Sequence, residues 1–417
     1  MAIPQSKGLI MNRTSVAGVA AADRLAHRLT APDAGGFRPG VAAQSLGAGG
    51  LGAVLLHFER LRLGLSDDVT ARAWLRAVAH PHVNSAAATN LFNGAPALAF
   101  VLHATDAPPR YDELRSRLHE QVRAITVRRL GLARERLTEH LPTGFAEYSQ
   151  LSGLSGLGTY LLATETDSDL TGEILAYLVA LIKPISIDGV WVPGWWSGHD
   201  PFLKQSPEFS GGHLNLGAAH GIPGPLTVLA FAYAAGLRVP GQREAIEWIC
   251  QFYDTWQDES GWWPQWLTRV DFAVGRASQP GPGRPSWCYG TPGIARALQL
   301  AAIALDDSAR QSAAEDAFVR CLADPEQTGR LAEGGLCHGT AGLYRITQRV
   351  AEDARDDRFT SALTGLEAIL TSNAVPEAGF LDGEAGLGLT LLSTGPRIAD
   401  ASVWDAALGL IAPKAVV

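Results

Sequence analysis

Two cysteines and a histidine stand at matching positions of a repeated glycine motif. Cys288 lies two residues before Gly290, and the pair Cys337 and His338 lies directly before Gly339. Zinc binds thiolate and imidazole well, and a catalytic zinc has three protein ligands and an exchangeable fourth position. The chain has no Cys-x-x-Cys pair, which argues against a finger-like structural site. The spacing therefore predicts a Cys₂His zinc site with an open position, with a packed Cys–His pair and a redox-active thiol as alternatives.

The glycine motif recurs along the chain and predicts a repeated helical unit. It consists of glycine followed, three positions later, by glycine or another small residue. Seven copies begin at Gly49, Gly94, Gly153, Gly221, Gly290, Gly339 and Gly383. Each copy precedes a segment that is apolar on nearly all sides, as in a buried helix. The stretches between copies, such as Asp112–Leu137 and Gln242–Trp256, have the three- and four-residue apolar spacing of an exposed amphipathic helix.

The residues suited to chemistry occupy one position in these units, and this favours a closed ring over an open solenoid. His220 precedes the glycine of the fourth unit, and Tyr289, next to Cys288, precedes that of the fifth. Only a closed array brings such positions to one centre. We therefore predict an all-α fold, an α/α toroid of seven inner and seven outer helices. Glycine at each inner helix start would permit positive φ and close backbone approach, and the helix dipoles would favour thiolate.

Two long segments interrupt the array and are predicted to be loop insertions. Ile185–Asn215 and Ser260–Ser286 are rich in tryptophan, glycine or proline, and GVWVP in the first is typical of a short strand. Loops of this length in a compact fold usually form lids or binding surfaces. The tryptophans are expected either to line a peptide groove or to pack over the toroid.

Composition excludes several classes of protein. The chain has 417 residues, of which 47% are hydrophobic and 18% charged, and its net charge of −8 argues against a non-specific nucleic-acid binder. No apolar run reaches the roughly 18–20 residues of a membrane span, and no secretory signal is evident, so we expect a cytoplasmic protein with no integral membrane segment. Four cysteines in such a chain do not make a disulfide scaffold. Cys250 and Cys321 lie in amphipathic patterns and are predicted to be buried free thiols.

Three motifs resemble those of the lanthionine synthetase C-like family, the lanthipeptide cyclases. They are LGAAHGIPG (216–224), RPSWCYGTPG (284–293) and GGLCHGTAG (334–342), and their order and the surrounding repeats match over the whole chain. The resemblance implies a single toroid domain over residues 1–417 and one zinc ion per chain on Cys288, Cys337 and His338. It also implies that His220 is an acid/base near the metal. Arg284 and Tyr289 take the positions of the family's arginine and tyrosine beside the first ligand.

One position departs from the family's pattern. The family has an aspartate in a Tyr-Asp-x-x-x-Gly segment of the third unit, and here that segment is Tyr148-Ser149-Gln150-Leu151-Ser152-Gly153. A serine at position 149 holds no negative charge, so it would stabilise a protonated His220 less than a carboxylate does. Glu147 is a candidate substitute. The change bears on the acid/base arrangement and leaves the predicted metal ligands intact.

The resemblance implies a reaction. The substrate is expected to be a precursor peptide whose Ser and Thr residues were dehydrated by a separate dehydratase, in a transient complex. A peptide thiol would add to the dehydroamino acid, His220 would protonate the enolate, and Arg284 would orient His220 or steady the enolate oxygen. For Arg284 an exposed loop arginine, and for Tyr289 ring packing, are the alternatives. Two other functions remain open: a zinc-dependent transferase for glutathione or another small thiol, and a non-catalytic scaffold that binds the precursor.

Overall fold

Helices dominate the structure. The computed structural model describes residues 11–32, 41–166, 168–354, 357–373, 375, 377–394 and 403–413. Within them, the α-helices in chain order are α1 (Met11–Arg28), α2 (Leu51–Arg62), α3 (Asp68–Ala79), α4 (Ala95–Ala104), α5 (Asp112–Thr138), α6 (Phe145–Tyr148), α7 (Leu154–Thr164), α8 (Asp169–Ala180), α9 (Pro223–Ala234), α10 (Gln242–Trp256), α11 (Arg269–Val274), α12 (Thr291–Leu305), α13 (Ser308–Ala323), α14 (Pro325–Thr328), α15 (Thr340–Asp353), α16 (Thr360–Leu370) and α17 (Glu384–Leu392).

The helix after each glycine motif is buried on nearly all sides, as its composition predicts. These inner helices are α2, α4, α7, α9, α12, α15 and α17. Every residue of α4 except His103 is buried, and every residue of α17 except Glu384. The outer helices bury one face instead: in α10, Ile246, Ile249 and Tyr253 are buried at three- and four-residue spacing. The two helix types therefore differ in how many of their sides are buried, and this difference assigns them to an inner and an outer layer.

The inner helices form a closed ring. Each contacts the next along the chain from α2 to α17, and α17 contacts α2. The outer helices α3, α5, α8, α10, α13 and α16 each pack on the inner helix that precedes them, whereas α1 packs on α17. Each of the seven inner helices thus has its outer partner, and the predicted α/α toroid is confirmed.

The seam of the ring is held by the end of α1. Arg28 Nε donates to Glu384 Oε1 at 2.5 Å, which ties α1 to the first residue of α17. Just beyond α1, the carbonyl of Leu29 lies 2.7 Å from His57 Nε2 and accepts from Trp74 Nε1 at 2.7 Å. The first and last parts of the ring therefore meet through both apolar packing and hydrogen bonds.

Close backbone approach, more than positive φ, explains the motif glycines. Gly290 has φ −101°, yet a Cβ there would lie 2.3 Å from Ser286 N. At Gly293 a Cβ would lie 2.1 Å from Trp287 O. Of the seven motif glycines, all within the described residues, Gly94 alone has positive φ, at +70°. The expectation of positive φ is therefore correct at one unit, and at the others glycine is needed because the loop folds tightly onto the helix start.

The two insertions contribute the strands of the described residues. In the first, β1 (Pro184–Ile187) pairs antiparallel with β2 (Val190–Pro193), which matches the predicted strand in GVWVP. β3 (His213–Asn215) then pairs antiparallel with β4 (Trp266–Thr268) and joins the two insertions. Most tryptophans of these segments pack inward, and Trp191, 62% exposed, is an exception. The fully or nearly buried tryptophans are Trp195, Trp196, Trp262 and Trp263.

A C-terminal segment, Val403–Leu410, lies inside the ring. It includes a 3₁₀ turn that contacts α4 and α7. On another side, Trp287 Nε1 donates to the carbonyl of Leu408 at 2.9 Å, and Arg296 of α12 donates from Nε to that of Leu410 at 3.0 Å. Gln150 Nε2 donates to the carbonyl of Ala407 at 3.0 Å. The segment therefore reaches inner helices on different sides of the ring and fills its centre.

A buried charge triad anchors this segment. Asp405 is fully buried, and its Oδ2 accepts from Arg345 Nε at 2.8 Å and from Arg349 Nε at 2.7 Å. Arg349 Nη2 also donates to Oδ1 at 2.9 Å. Both arginines belong to α15 and are themselves buried. Their charges hold the pKa of Asp405 well below its usual range despite burial.

The remaining expectations have different outcomes. Cys250 and Cys321 are buried free thiols, as predicted. Over the described part of the chain, no helix combines the length and apolar character needed to cross a membrane. The assignment of residues 1–417 to a single domain stays a prediction, since residues 1–10 and several shorter stretches lie outside the described residues.

Candidate metal centre

Backbone hydrogen bonds join the loops in front of neighbouring inner helices into a belt. Leu151 N donates to Ala219 O at 3.2 Å, and Ala219 N donates to Cys288 O at 3.3 Å. Cys288 N donates to Cys337 O at 3.2 Å, and Cys337 N donates to Leu381 O at 3.0 Å. The belt therefore links the third to seventh units, and residues from distant parts of the chain become direct neighbours.

The belt continues around the rest of the ring. Amide-to-carbonyl bonds of 2.9 Å connect the seventh unit to the first and the first to the second. Between the second and third units, the guanidinium of Arg129 donates to the carbonyls of Thr89 and Ser152 at 2.9 and 2.6 Å. Every seam of the ring is thus bridged at the level of the motif loops, which fixes the side chains that stand there.

Three predicted ligands meet on this belt. The sulfur atoms of Cys288 and Cys337 and a ring nitrogen of His338 lie within 4.8 Å of one another. Cys288 is buried, whereas Cys337 and His338 are partly exposed, so the cluster opens towards solvent on one side. In the described residues this is the one group of three or more His, Cys, Asp or Glu side chains close enough to share a metal ion.

The electrostatics of the cluster favour a thiolate. The hydrogen bond to Cys337, with further ones to His338 and Ser286, lowers the pKa of Cys288 well below its ordinary value, although burial opposes this. The Cys288 interaction in turn raises the pKa of Cys337 and of His338. Without a cation, one thiolate therefore disfavours a second, and a bound metal would relieve that repulsion.

The backbone amides in the first turn of α15 do not face the site. At the start of α15, the amides of Thr340, Ala341 and Gly342 donate to the carbonyls of residues 333, 334 and 335 at 2.9, 3.3 and 3.2 Å. The Gly-rich loop folds back over the helix end and occupies these donors. What remains of the helix effect at the thiols is the dipole.

Two carboxylates surround His338. Glu333 Oε2 lies 2.6 Å from His338 Nε2, and Asp382 Oδ1 lies 3.7 Å from the same nitrogen. Arg284 Nη1 lies 3.4 Å from Glu333 Oε1. Arg284 is therefore connected to the ligand histidine through Glu333. The sequence predicts that Arg284 contacts His220 or an enolate. Among the described residues Arg284 contacts Glu333 and makes no contact with His220.

His220 stands between two aromatic rings. Its imidazole stacks on Phe145 with centroids 4.7 Å apart and planes 15° apart, and it faces Tyr289 at 6.4 Å. Nδ1 is buried without a hydrogen-bond partner. Burial, with a smaller contribution from His199, lowers the pKa of His220 to about 4. The resting imidazole is therefore neutral at pH 7.

Tyr289 is held within the wall of the site. Its hydroxyl accepts from Asn215 Nδ2 at 3.2 Å, and its ring meets Trp266 edge-on at 6.2 Å. Burial raises the pKa of Tyr289 to about 12, so the phenol keeps its proton. These contacts accord with the packing alternative for this residue.

Comparison with known proteins identifies the family. A family model described as lanthionine synthetase C-like protein matches residues 40–406. The chain belongs to the lanthionine synthetase C-like family. It is 24% identical over 318 residues to the nisin biosynthesis protein NisC of Lactococcus lactis subsp. lactis, across 72% of this chain and 73% of that protein. The solved structure of nisin cyclase shares its fold, with a TM-score of 0.72 at 21% identity over 95% of this chain and 97% of that one.

Within this lanthionine synthetase C-like chain, Ser149 forms hydrogen bonds inside its own loop. Ser149 is buried, and its Oγ lies 3.1 Å from Ser152 Oγ and accepts from Ser152 N at 3.2 Å. Glu147 does not replace the family's aspartate, because Arg136 and the hydroxyl of Tyr177 occupy its carboxylate. His220 is therefore left without a carboxylate partner among the described residues.

Sequence reasoning missed three neighbours of the site. Asp382 directly precedes the motif glycine Gly383, as His220 and His338 precede theirs. Inspecting the residue before the glycine in the seventh unit would therefore have found it. Glu333 and Phe145 carry no such signal. Glu333 reaches His338 only because the loop folds back over α15, and Phe145 reaches His220 across two units.

Proposed function

We propose that this chain is a zinc-dependent lanthipeptide cyclase, which adds peptide cysteine thiols to dehydroalanine or dehydrobutyrine to form thioether rings. One observation carries the proposal: the ligand atoms of Cys288, Cys337 and His338 lie within 4.8 Å of one another on the belt that also bears His220. The similarity to a nisin biosynthesis protein and to nisin cyclase supports the substrate class.

The donor set fits a single catalytic zinc ion. Two thiolates and one imidazole make three protein ligands, and the partly exposed side of the cluster leaves a fourth position for a substrate. Zinc, when bound, would supply a Lewis acid that lowers the pKa of a substrate thiol from its usual value of about 8.5. Glu333 would hold His338 by Nε2, which leaves Nδ1 for the metal.

His220 moves the proton. In the addition, the S–H bond of the peptide cysteine breaks, sulfur bonds to the β-carbon, and the electron pair of the double bond forms an enolate. Because the pKa of His220 is about 4, its neutral imidazole first accepts the thiol proton. It then gives the same proton to the α-carbon. The sequence-based prediction of a proton donor is thus extended to a shuttle, and the step balances without an external acid.

The proposal includes partners and setting. The substrate is a precursor peptide whose Ser and Thr residues a separate dehydratase has already dehydrated, and that enzyme binds transiently. We place the protein in the cytoplasm and treat residues 1–417 as one catalytic domain. Arg284 acts on the metal side of the site, through Glu333.

Ring closure on a dehydrated precursor tests the proposed function. A peptide that contains cysteines and dehydrated Ser and Thr residues is incubated with the zinc-loaded protein, and free thiols are counted by alkylation and mass spectrometry. We expect closure about 10²- to 10⁴-fold faster than without protein. Thiols that stay free at the uncatalysed rate, with zinc bound, would leave the scaffold alternative. Adducts of glutathione on the peptide, without ring closure, would indicate the small-thiol transferase instead.

Glu333 should strengthen zinc binding through His338. In Glu333→Gln the side chain keeps its size but loses the charge that faces His338 Nε2. We expect zinc affinity to fall about 10-fold, the lower end for loss of such a partner, since Glu333 is solvent-exposed. Competition with a chromophoric chelator measures this. The control is Glu326→Gln, which changes an exposed glutamate of α14. Equal zinc affinities in the two variants would contradict the role of Glu333 as the partner of His338.

A further inference from the structure

Phe145 lies at the centre of three imidazoles, of which His213 is buried and His199 and His220 are partly exposed. Its ring is stacked on His220 at 4.7 Å and meets His199 and His213 edge-on at 4.5 and 5.6 Å. Phe145 is 2% exposed. The phenyl ring is stacked on one imidazole and contacts the other two edge-on, so its plane is held from three sides.

The walls of this cluster are themselves anchored. His213 Nδ1 lies 2.7 Å from the carbonyl of His199, and His199 Nδ1 lies 2.7 Å from the carbonyl of Asp200. On the other side, Thr143, two residues before Phe145, donates from its amide to the carbonyl of Trp196 at 2.8 Å. The phenyl ring therefore has little freedom to move, and neither have two of the three imidazoles.

His220 differs from its two neighbours in this respect. No hydrogen bond of the described residues holds its ring: Nδ1 is buried without a partner, and neither Ser149 nor Glu147 reaches it. A surface of aromatic rings is the restraint that remains. The parallel stack fixes the ring plane, and Tyr289 limits the opposite side.

We propose that Phe145 is the positioning residue of His220, and that stacking orients this imidazole where the family's pattern places a carboxylate. A stacked aromatic pair contributes about 0.5–1.5 kcal/mol beyond the area it buries, enough to favour one ring orientation about 2- to 10-fold over another. Stacking also brings no charge, so the neutral imidazole that first accepts a proton is the favoured form. The catalytic meaning of the inference rests on the proposed function of His220.

The substitution Phe145→Leu tests this. A leucine side chain would keep the apolar wall but remove the flat surface. Because a misdirected imidazole affects proton transfer more than substrate binding, we expect kcat to fall about 10-fold while KM stays within about twofold. The variant Phe145→Tyr keeps the ring plane and should retain at least about half of the wild-type kcat.

A matched control separates positioning from folding. Phe209 is also buried and meets His213 edge-on at 5.5 Å, in the same cluster but without contact to His220. Phe209→Leu should lose stability to a similar extent and keep kcat within about twofold. In a His220→Asn background, Phe145→Leu should change kcat less than about twofold, because the two residues act as a unit. Equal losses of kcat in both leucine variants, or an unchanged effect in the Asn background, would overturn the proposal.

A spectroscopic readout keeps the inference testable if rings are not closed. In protein labelled with ¹⁵N-histidine, His220 should give one sharp set of imidazole signals in the wild type and in Phe209→Leu. In Phe145→Leu these signals should broaden or double, while those of His57, on the far seam, stay unchanged. A single sharp set in Phe145→Leu would refute positioning. Absence of ring closure by the wild type would refute the proposed function alone.

Discussion

Replacing Cys337 with alanine should abolish both zinc binding and ring closure. The variant keeps Cys288 and His338, and two ligands do not retain zinc in competition with solvent and chelators. We expect zinc to fall from about one ion per chain to a trace, as measured by elemental analysis after dialysis. Because a catalytic metal contributes several kcal/mol to the transition state, the rate should fall about 10³-fold or more.

The other buried thiols supply the control for this experiment. Cys321 lies in α13, is equally free and is more buried than Cys337. Cys321→Ala should lose some packing energy but keep its zinc and its rate of ring closure within about twofold. Zinc retained at full stoichiometry in Cys337→Ala would contradict the ligand assignment. Zinc lost with the rate unchanged would contradict zinc dependence.

Replacing Asp405 with alanine should destabilise the whole fold. The substitution leaves Arg345 buried inside the ring without its carboxylate partner, and leaves Arg349 with Glu352 but without Asp405. Removing one partner of a buried ion pair costs about 3–5 kcal/mol, because the remaining charge stays desolvated. We expect this loss in the free energy of unfolding, measured by urea denaturation. The C-terminal segment should also become accessible to proteases.

An exposed pair on the outer ring is the matched control. Asp254 pairs with Arg310 at 2.8 Å and is 56% exposed, so Asp254→Ala should cost less than about 1 kcal/mol. If Asp405→Ala costs no more than Asp254→Ala, the triad is not what holds Val403–Leu410 in place.

The repeating parts of the molecule were predictable from sequence for a physical reason. A helix buried on all sides has to be apolar on all sides, and a loop that folds back on its helix start needs glycine, so both leave a local mark. The predicted starts therefore match the observed ones, with α12 beginning one residue after Gly290 and α15 one residue after Gly339. The shared position of Cys288 and Cys337, two residues before a motif glycine, was likewise visible as a pattern.

The singular parts left no such mark. Asp405 resembles any acidic residue until two arginines of α15 are found beside it, and Arg129 gives no sign that it closes a seam of the belt. Phe145 belongs to a four-residue helix outside the repeat pattern. Each acts once, through contacts between distant units. A repeated sequence pattern reveals the features that recur in every unit, and it gives no information on contacts that occur once.

The pairing of α1 with α17 affects how the protein folds during its synthesis. Arg28 and Glu384 are 356 positions apart, so the ring cannot close until nearly the whole chain has left the ribosome. During that time the inner helices, apolar on every side, have no complete partner set, and nascent chains of this kind aggregate readily. Contacts of such long range also slow folding. We therefore expect synthesis to depend on chaperones, and chains released before α17 to be degraded instead of forming a smaller toroid.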